Sequence, residues 1–307
     1  MTNVSGRTVA QSGEDEPGHA VRAPRVAGLD GPPVGDAPSP TGGRRPGGWW
    51  RRSLARALSV AVLVAVWWAV CAAGIWSELI VPPPAKVWDA FVQSVTTDGP
   101  RHGLSGYLLW EHLAASLNRI GRGMAWAVVI GVPLGLLLAS VRAARVVFEP
   151  YVSFLRSLPP LAYFSLLIIW FGIEDTSKVW LLFLAAFPPI TLATISGVER
   201  VRPEYVEAAR ALGASRWQVV RVAVVPSVVP DVLTGVRLAL GFAWTTIVAA
   251  ETSNGIPGIG GLAWATKKEL RADVAVMCVI VIGITALVLD NGIRLVEQRL
   301  APWKGRA

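Results

Sequence analysis

Residues Glu199 to Pro226 read ERVRPEYVEAARALGASRWQVVRVAVVP, a charged and alanine-rich stretch set between two long apolar runs. Pro203 suits the first turn of a helix, where a missing N–H costs nothing, and Glu204 and Glu207 favour the positive end of its dipole. Tyr205, Ala208, Ala209 and Leu212 recur at i, i+3, i+4 and i+7, which gives one apolar face of mostly small residues. Gly213 is placed to end that helix in a left-handed conformation. Ser215, with Gln218 three residues on, is a capping-box pattern for a second short helix presenting Trp217, Val220 and Val224. The stretch therefore predicts two short helices hinged at a glycine. Alanines on the contact face let another protein approach closely, and such a knob suits docking into a groove and passing a push to the flanking apolar runs.

Those flanking runs set the class of protein. Of the 307 residues, 53% are hydrophobic and only 16% are charged, against about a quarter charged in soluble domains. Ala57 to Trp76, Gly123 to Val141 and Val179 to Val198 are free of charge, and a bilayer core needs about 20 apolar helical residues. The reading is an all-α integral membrane protein with six spans, at about Leu54–Trp76, Ile120–Val141, Tyr151–Ile173, Val179–Val198, Val228–Ala250 and Val274–Leu295. The outer loop from Ser77 to Asn118 has room for a short surface helix. Arg44, Arg45, Arg51, Arg52 and Arg56 precede the charge-free run that begins at Ala57. With Arg142, Arg145, Arg156, the five arginines from Arg200 to Arg221 and the C-terminal basic residues, they outnumber the basic residues of the opposite side. The positive-inside rule then puts both termini and the 199–226 loop in the cytoplasm. The net charge of +8 is explained by this topology, without nucleic acid as a partner. Residues 1–48 are rich in Gly and Pro with few large apolar side chains, which predicts a disordered tail rather than a signal peptide. The expected organisation is this tail, a first span and outer loop over 49–112, a core over 113–299 with the loop at 200–226, and a short tail at 300–307.

Prolines and intramembrane charges supply the candidate path. Pro133, Pro159-Pro160 and Pro188-Pro189 fall inside spans two, three and four, where each removes a backbone donor. Helices broken there are expected to line a route through the membrane. Glu149, Asp231, Arg237, Glu251 and Asp290 are charges within or at the ends of spans, where they are costly and often functional. Asp231 and Arg237 are too far apart in sequence to pair along one helix, whereas Asp290 and Arg294 are spaced to do so. Glu251 ends span five, open to three readings: contact with the ammonium of a zwitterionic substrate, a gate, or packing. Pro159, Pro160, Arg237 and Glu251 are the candidate path residues.

What the sequence lacks is as informative. It contains no Gly-x-x-x-x-Gly-Lys-Ser/Thr phosphate loop, and the glycine cluster Gly255–Gly261 has no lysine, so it reads as a turn outside the membrane rather than a nucleotide site. His19, His102 and His112 have no metal-ligand spacing, Cys71 and Cys278 lie in apolar segments, and no catalytic constellation is readable. The expectation is a non-catalytic protein without cofactor or metal. A channel or secondary transporter explains spans and proline breaks but gives no reason for the 199–226 loop.

That loop resembles the EAA loop of binding-protein-dependent ABC importer permeases: Glu-Ala-Ala, three residues, Gly, nine residues, then Ile-x-Leu-Pro. The matches are Glu207, Ala208, Ala209, Gly213 and Pro226, with Ala223 and Val225 in place of Ile and Leu. The resemblance runs from about Ser53 to Gly305. It is strongest to the taurine, alkanesulfonate and nitrate group, through Leu109–Arg119, Leu158–Ala162, Ile169–Ile173, Thr176–Lys178, Leu233–Arg237, Val248–Glu251 and Arg299–Gly305, while Thr252–Lys268 departs from that pattern. It implies a MetI-like permease core in the bacterial inner membrane and a homodimer with a path along its axis. It also implies two copies of an ATPase subunit below and a solute-binding protein above. Glu207, Ala208, Ala209, Leu212, Gly213, Trp217 and Pro226 become the ATPase-coupling residues. The implied cargo is taurine or a related alkanesulfonate, with nitrate, bicarbonate or another small solute as the alternative.

Overall fold

The computed structural model describes residues 48–98 and 101–302; the expected N-terminal tail lies almost wholly outside them. The chain divides into two units, Met1–Arg56 and Ala57–Ala307. The first contributes only the start of helix α1 (Gly48–Ala72). The second holds everything else, and all packing below is within it.

Packing of α3 (Leu109–Ser140) alongside a parallel α6 (Asp175–Glu199), with α9 (Val225–Asn254) running antiparallel to α6, forms the centre of the second unit. Its core joins Ile120, Met124 and Ala127 to Leu182, Phe183, Ala186 and Ile190, and these to Ala239, Ala243, Trp244 and Ile247. Lipid is as apolar as these side chains, so close approach and dispersion, rather than exclusion from water, hold such helices together. Small residues make the approach possible. A Cβ at Gly135 would lie 2.6 Å from the Thr194 Cβ and 2.8 Å from the Thr191 carbonyl oxygen. Thr191 and Thr194 satisfy their hydroxyls on the carbonyls one turn back, Phe187 and Ile190, so they pack between helices without an unpaired donor.

Helix α11 (Ala272–Leu300) packs on α9, on α10 (Ile259–Glu269) and on the amphipathic α2 (Pro84–Val95). A second core, with Val87, Ala90, Leu109, Ile259, Leu262, Met277 and Cys278, fills this junction, with Trp67 of α1 against it. Thus the expected outer loop does hold a short helix. A two-residue antiparallel pair, β1 (Thr97–Asp98) with β2 (Arg101–His102), follows α2.

Four stretches among the described residues are long and apolar enough to cross a membrane: Leu109–Ser140, Asp175–Glu199, Arg216–Ser253 and Ala272–Leu300. Residues Ala57–Ala72 add a shorter apolar helix. The third expected span is not one helix. It is α4 (Arg142–Ser157), a 3₁₀ turn at Pro160–Ala162, and α5 (Phe164–Phe171), because two adjacent prolines remove two donors and exclude helical backbone before them. The other proline expectation needs correction, since Pro133 lies inside an unbroken α3 and Pro188-Pro189 inside an unbroken α6. Helix α3 also starts at Leu109 rather than near Ile120, so the boundary expected at 112/113 falls within it.

Candidate functional site

One end of the α3–α6–α9 bundle carries the knob that the sequence singled out. Helix α7 (Pro203–Ala211) opens on Pro203 at its first position. It ends as a left-handed glycine requires: Gly213 has φ +82°, its N–H donates to the Arg210 carbonyl at 2.9 Å, and the Ala214 N–H donates to Ala209 at 3.1 Å. These bonds close a Schellman-type terminus. The turn then enters α8 (Arg216–Val219) through the anticipated capping box. The Ser215 N–H donates to Gln218 Oε1 at 2.8 Å, and the Gln218 N–H to Ser215 Oγ at 3.4 Å. The second short helix is not free-standing, however. A π-helical turn at Val220–Val224 runs it straight into α9, with Pro226 in the first turn of that helix. The second half of the knob is thus the end of a continuous rod.

Its contact face is uncovered. No residue of α7 is buried, Leu212 is 89% exposed and Trp217 is 72% exposed. Glu207, Ala208 and Gly213 are exposed, and Ala209 and Pro226 partly so. Ion pairs clamp the two roots of the knob. Arg200 Nη1, at the end of α6, donates to Asp231 Oδ1 of α9 at 2.6 Å. Arg145 of α4 bridges Glu149, Nε to Oε2 at 2.6 Å, and Glu199. The hydrogen bonds to Glu149 and then Glu199 hold the Arg145 guanidinium pKa above its ordinary value.

The opposite end of the bundle is closed by a buried polar network. Arg119 of α3 donates from Nη1 to Glu251 Oε1 of α9 at 2.7 Å and to the Pro257 carbonyl at 2.9 Å. Its Nε donates to Asp175 Oδ1 of α6 at 2.7 Å. Ser116 Oγ sits 2.7 and 2.9 Å from the two Glu251 oxygens and accepts from the Ile259 N–H at 3.1 Å. The Gly260 N–H donates to Glu251 Oε2 at 2.9 Å. His112 completes the ladder. Its Nε2 lies 3.2 Å from the Leu104 carbonyl oxygen, and its Nδ1 lies 3.0 Å from both the backbone nitrogen and the carbonyl oxygen of Gly258. The glycine cluster is therefore the folded-back turn that lays the first two amides of α10 on Ser116 and Glu251. A Cβ at Gly260 would lie 2.3 Å from the Val248 carbonyl oxygen.

The candidate path residues do not converge. Pro159 and Pro160 line a cavity of about 210 Å³ with Tyr163, Pro189 and Phe242. Arg237 lines a different one, of about 590 Å³, between α9 and α11. Glu251 is 1% exposed, inside the network just described. Asp290 takes Arg237 as its principal partner, with Arg237 Nε and Nη2 both donating to it, and Arg294 is the more distant at 3.5 Å. Among the described residues no cluster of His, Cys, Asp and Glu is arranged to hold a metal.

Sequence reasoning missed Arg119, Ser116 and His112 as a unit. The signal was present: they stand at i, i+4 and i+7, one face of a helix. Starting that helix near Ile120 hid it.

The family profile described as "Binding-protein-dependent transport system inner membrane component" matches residues 131–302. The taurine transport system permease protein TauC of Escherichia coli (strain K12) is 39% identical over 261 residues, covering 83% of this chain and 94% of that protein. The putative aliphatic sulfonates transport permease protein SsuC of Bacillus subtilis (strain 168) is 28% identical over 262 residues, covering 85% and 90%. The nitrate import permease protein NrtB of Synechocystis sp. (strain ATCC 27184 / PCC 6803 / Kazusa) is 30% identical over 246 residues, covering 80% and 88%. In fold, the chain is similar to an inward-facing MetNI methionine ABC transporter, with a TM-score of 0.54 at 18% identity, over 62% of this chain and 97% of that one. The profile spans more than half of the sequence and the taurine permease aligns over nearly its whole length, so the chain belongs to the binding-protein-dependent transport system inner membrane components, the non-catalytic membrane permeases of ABC importers that leave ATP hydrolysis to a partner ATPase.

Proposed function

We propose that this permease forms the membrane path for taurine or a related alkanesulfonate delivered by a solute-binding protein. The observation that carries the reading is the 39% identity to a taurine permease over 94% of that protein's length, seconded by the aliphatic sulfonate relative. The knob at Pro203–Val219 faces the cytoplasm and docks in a groove of the ATPase subunit. Glu207, Ala208, Ala209, Leu212, Gly213 and Trp217 make the contact, and Pro226 marks the root. Two copies of this chain and two ATPases make the working assembly, with the binding protein at the Arg119–Glu251 end. When the ATPases close, the knobs move together and the α8–α9 rod tips, because no loop separates knob from span. Supporting this are the uncovered apolar face of the knob and the excess of basic residues on its side of the membrane.

The test is uptake into proteoliposomes holding the permease with its ATPase and binding protein. ATP-dependent accumulation of taurine, and none without ATP, is expected. A nitrate importer, the second reading and the one the NrtB relative favours, would accumulate nitrate and leave taurine outside.

A further inference from the structure

Within α9 and α11, two helices long and apolar enough to cross a membrane, stand two charges, Arg237 and Asp290. Arg237 and Asp290 pair across the two helices: Arg237 Nε and Nη2 both donate to the carboxylate, Nη2 to Oδ2 at 3.0 Å. Both residues are only partly buried, and both line the cavity of about 590 Å³ between the helices. The rest of that wall is apolar or small, with Leu240, Gly241 and Ala286 among it. Trp244 borders the same cavity, and its buried indole N–H has no acceptor among the described residues. Charges within such helices are expensive and often functional.

The chemistry of the pair says what it would hold. A guanidinium presents a planar fork that matches two oxygens of a carboxylate, and equally two oxygens of a sulfonate or nitrate. Asp290, itself an oxyanion, occupies that fork. It also has a second cation at hand, since Arg294 one turn along α11 reaches Oδ2 at 3.5 Å. If Arg237 turns to an incoming oxyanion, Asp290 keeps a partner in Arg294 and no lone carboxylate is left behind. An exchange of one oxyanion for another on the same fork gives a site that binds weakly enough to release.

We propose that Arg237 is the residue on which the oxyanion head of the cargo rests during its passage, with Asp290 handed to Arg294 while the site is filled. This rests on the reading of the chain as an oxyanion importer, and it gives that reading an intramembrane contact. The chemical class is a small solute bearing a sulfonate or another oxyanion, whatever the remainder of the molecule.

The experiment uses the complete reconstituted complex, with initial uptake rates measured for taurine and for nitrate. Arg237→Lys keeps the charge and loses the fork; it is expected to raise KM for the imported solute about tenfold, the effect of losing one charge-assisted hydrogen bond. Arg237→Gln is expected to impair uptake more. The Arg237→Gln/Asp290→Asn double variant removes the pair without leaving a lone charge, and it is expected to stay as impaired as Arg237→Gln. Recovery of the double variant to within twofold of wild type would show that the pair only fastens α9 to α11, and would overturn the assignment. An unchanged KM in Arg237→Lys would overturn it as well, and that variant decides alone if the double variant fails to assemble with the ATPase. In both cases wild-type uptake of taurine leaves the cargo reading standing. A wild-type complex that hydrolyses ATP in response to its binding protein but imports neither solute removes the cargo reading and this site together.

Discussion

Arg119 and Glu251, from α3 and α9, meet at 2.7 Å with both side chains nearly excluded from solvent. The pair is one joint in a set that also fixes α6 through Asp175 and the start of α10 through the Gly260 N–H. Three helices and a turn are thereby tied at a single level of the bundle. Both oxygens of Glu251 are occupied and Arg119 uses two of its nitrogens, so the desolvation of each charge is compensated by bonds in place.

Removing one member should expose that balance. Arg119→Ala leaves Glu251 buried without its cation and is expected to cost about 3–5 kcal/mol. Glu251→Gln keeps the shape and the contact with Ser116, while Arg119 retains Asp175, so its cost is expected to be smaller. Thermal unfolding of the detergent-solubilised protein measures both; equal midpoints for Arg119→Ala and wild type would contradict the account.

Close approach of α3 to α6 makes a second prediction. Gly135→Val must displace Thr194, whose Cβ would lie 2.6 Å from the new Cβ, and also the backbone at Thr191. A loss of about 1–3 kcal/mol is expected, as for overpacked cores. Thr194→Gly in the same chain should return only part of it, since the Thr191 carbonyl remains in the way. Complete rescue in a melting series would mean that the helices are free to part at this level.

The membrane class, the knob and its capping box were legible in the sequence because each rests on local rules: hydropathy over a window, a glycine after a helix, a serine three residues before a glutamine. Pairing between helices was not. Asp231 and Arg237 were correctly kept apart by their spacing, but their partners Arg200 and Asp290 come from other elements, and no periodicity reports which helices neighbour. Prolines misled in the other direction. At Pro133, Pro188 and Pro189 the lost hydrogen bonds are tolerated within continuous helices, and only Pro159-Pro160, followed by a 3₁₀ turn, stops one. Hydropathy also set the start of α3 too late, because His112, Ser116 and Arg119 look like loop residues until Glu251 is seen opposite them.

Gly213 and Leu212 separate folding from docking. Alanine at Gly213 must adopt φ +82°, at roughly 1–2 kcal/mol, and Gly213→Asn should be milder because asparagine visits that region more readily. Leu212→Asp touches almost nothing within the chain, the side chain being 89% exposed, so its melting temperature should match wild type. Recovery of the ATPase with the permease should nonetheless fall at least tenfold, because a charge would enter an apolar contact. Full copurification of Leu212→Asp with the ATPase would take the knob out of the interface.

Arg200 and Asp231 test whether the knob transmits force or only binds. Their pair ties the end of α6 to the start of α9, the two roots of the knob, at 2.6 Å. Arg200 is largely exposed, so the pair should add less than about 1 kcal/mol to stability, and Arg200→Ala should melt as wild type does. On the proposed coupling, its effect belongs to the mechanical step. With the roots no longer clamped, displacement of the knob is absorbed between α6 and α9 instead of tipping α9 as a rod. Solute imported per ATP hydrolysed should fall several-fold while binding of the ATPase persists, and Arg200→Lys should restore most of the ratio. An unchanged ratio in Arg200→Ala would place the transmission elsewhere, in the continuous helix from Arg216 through the π turn into α9, where no side-chain clamp is needed.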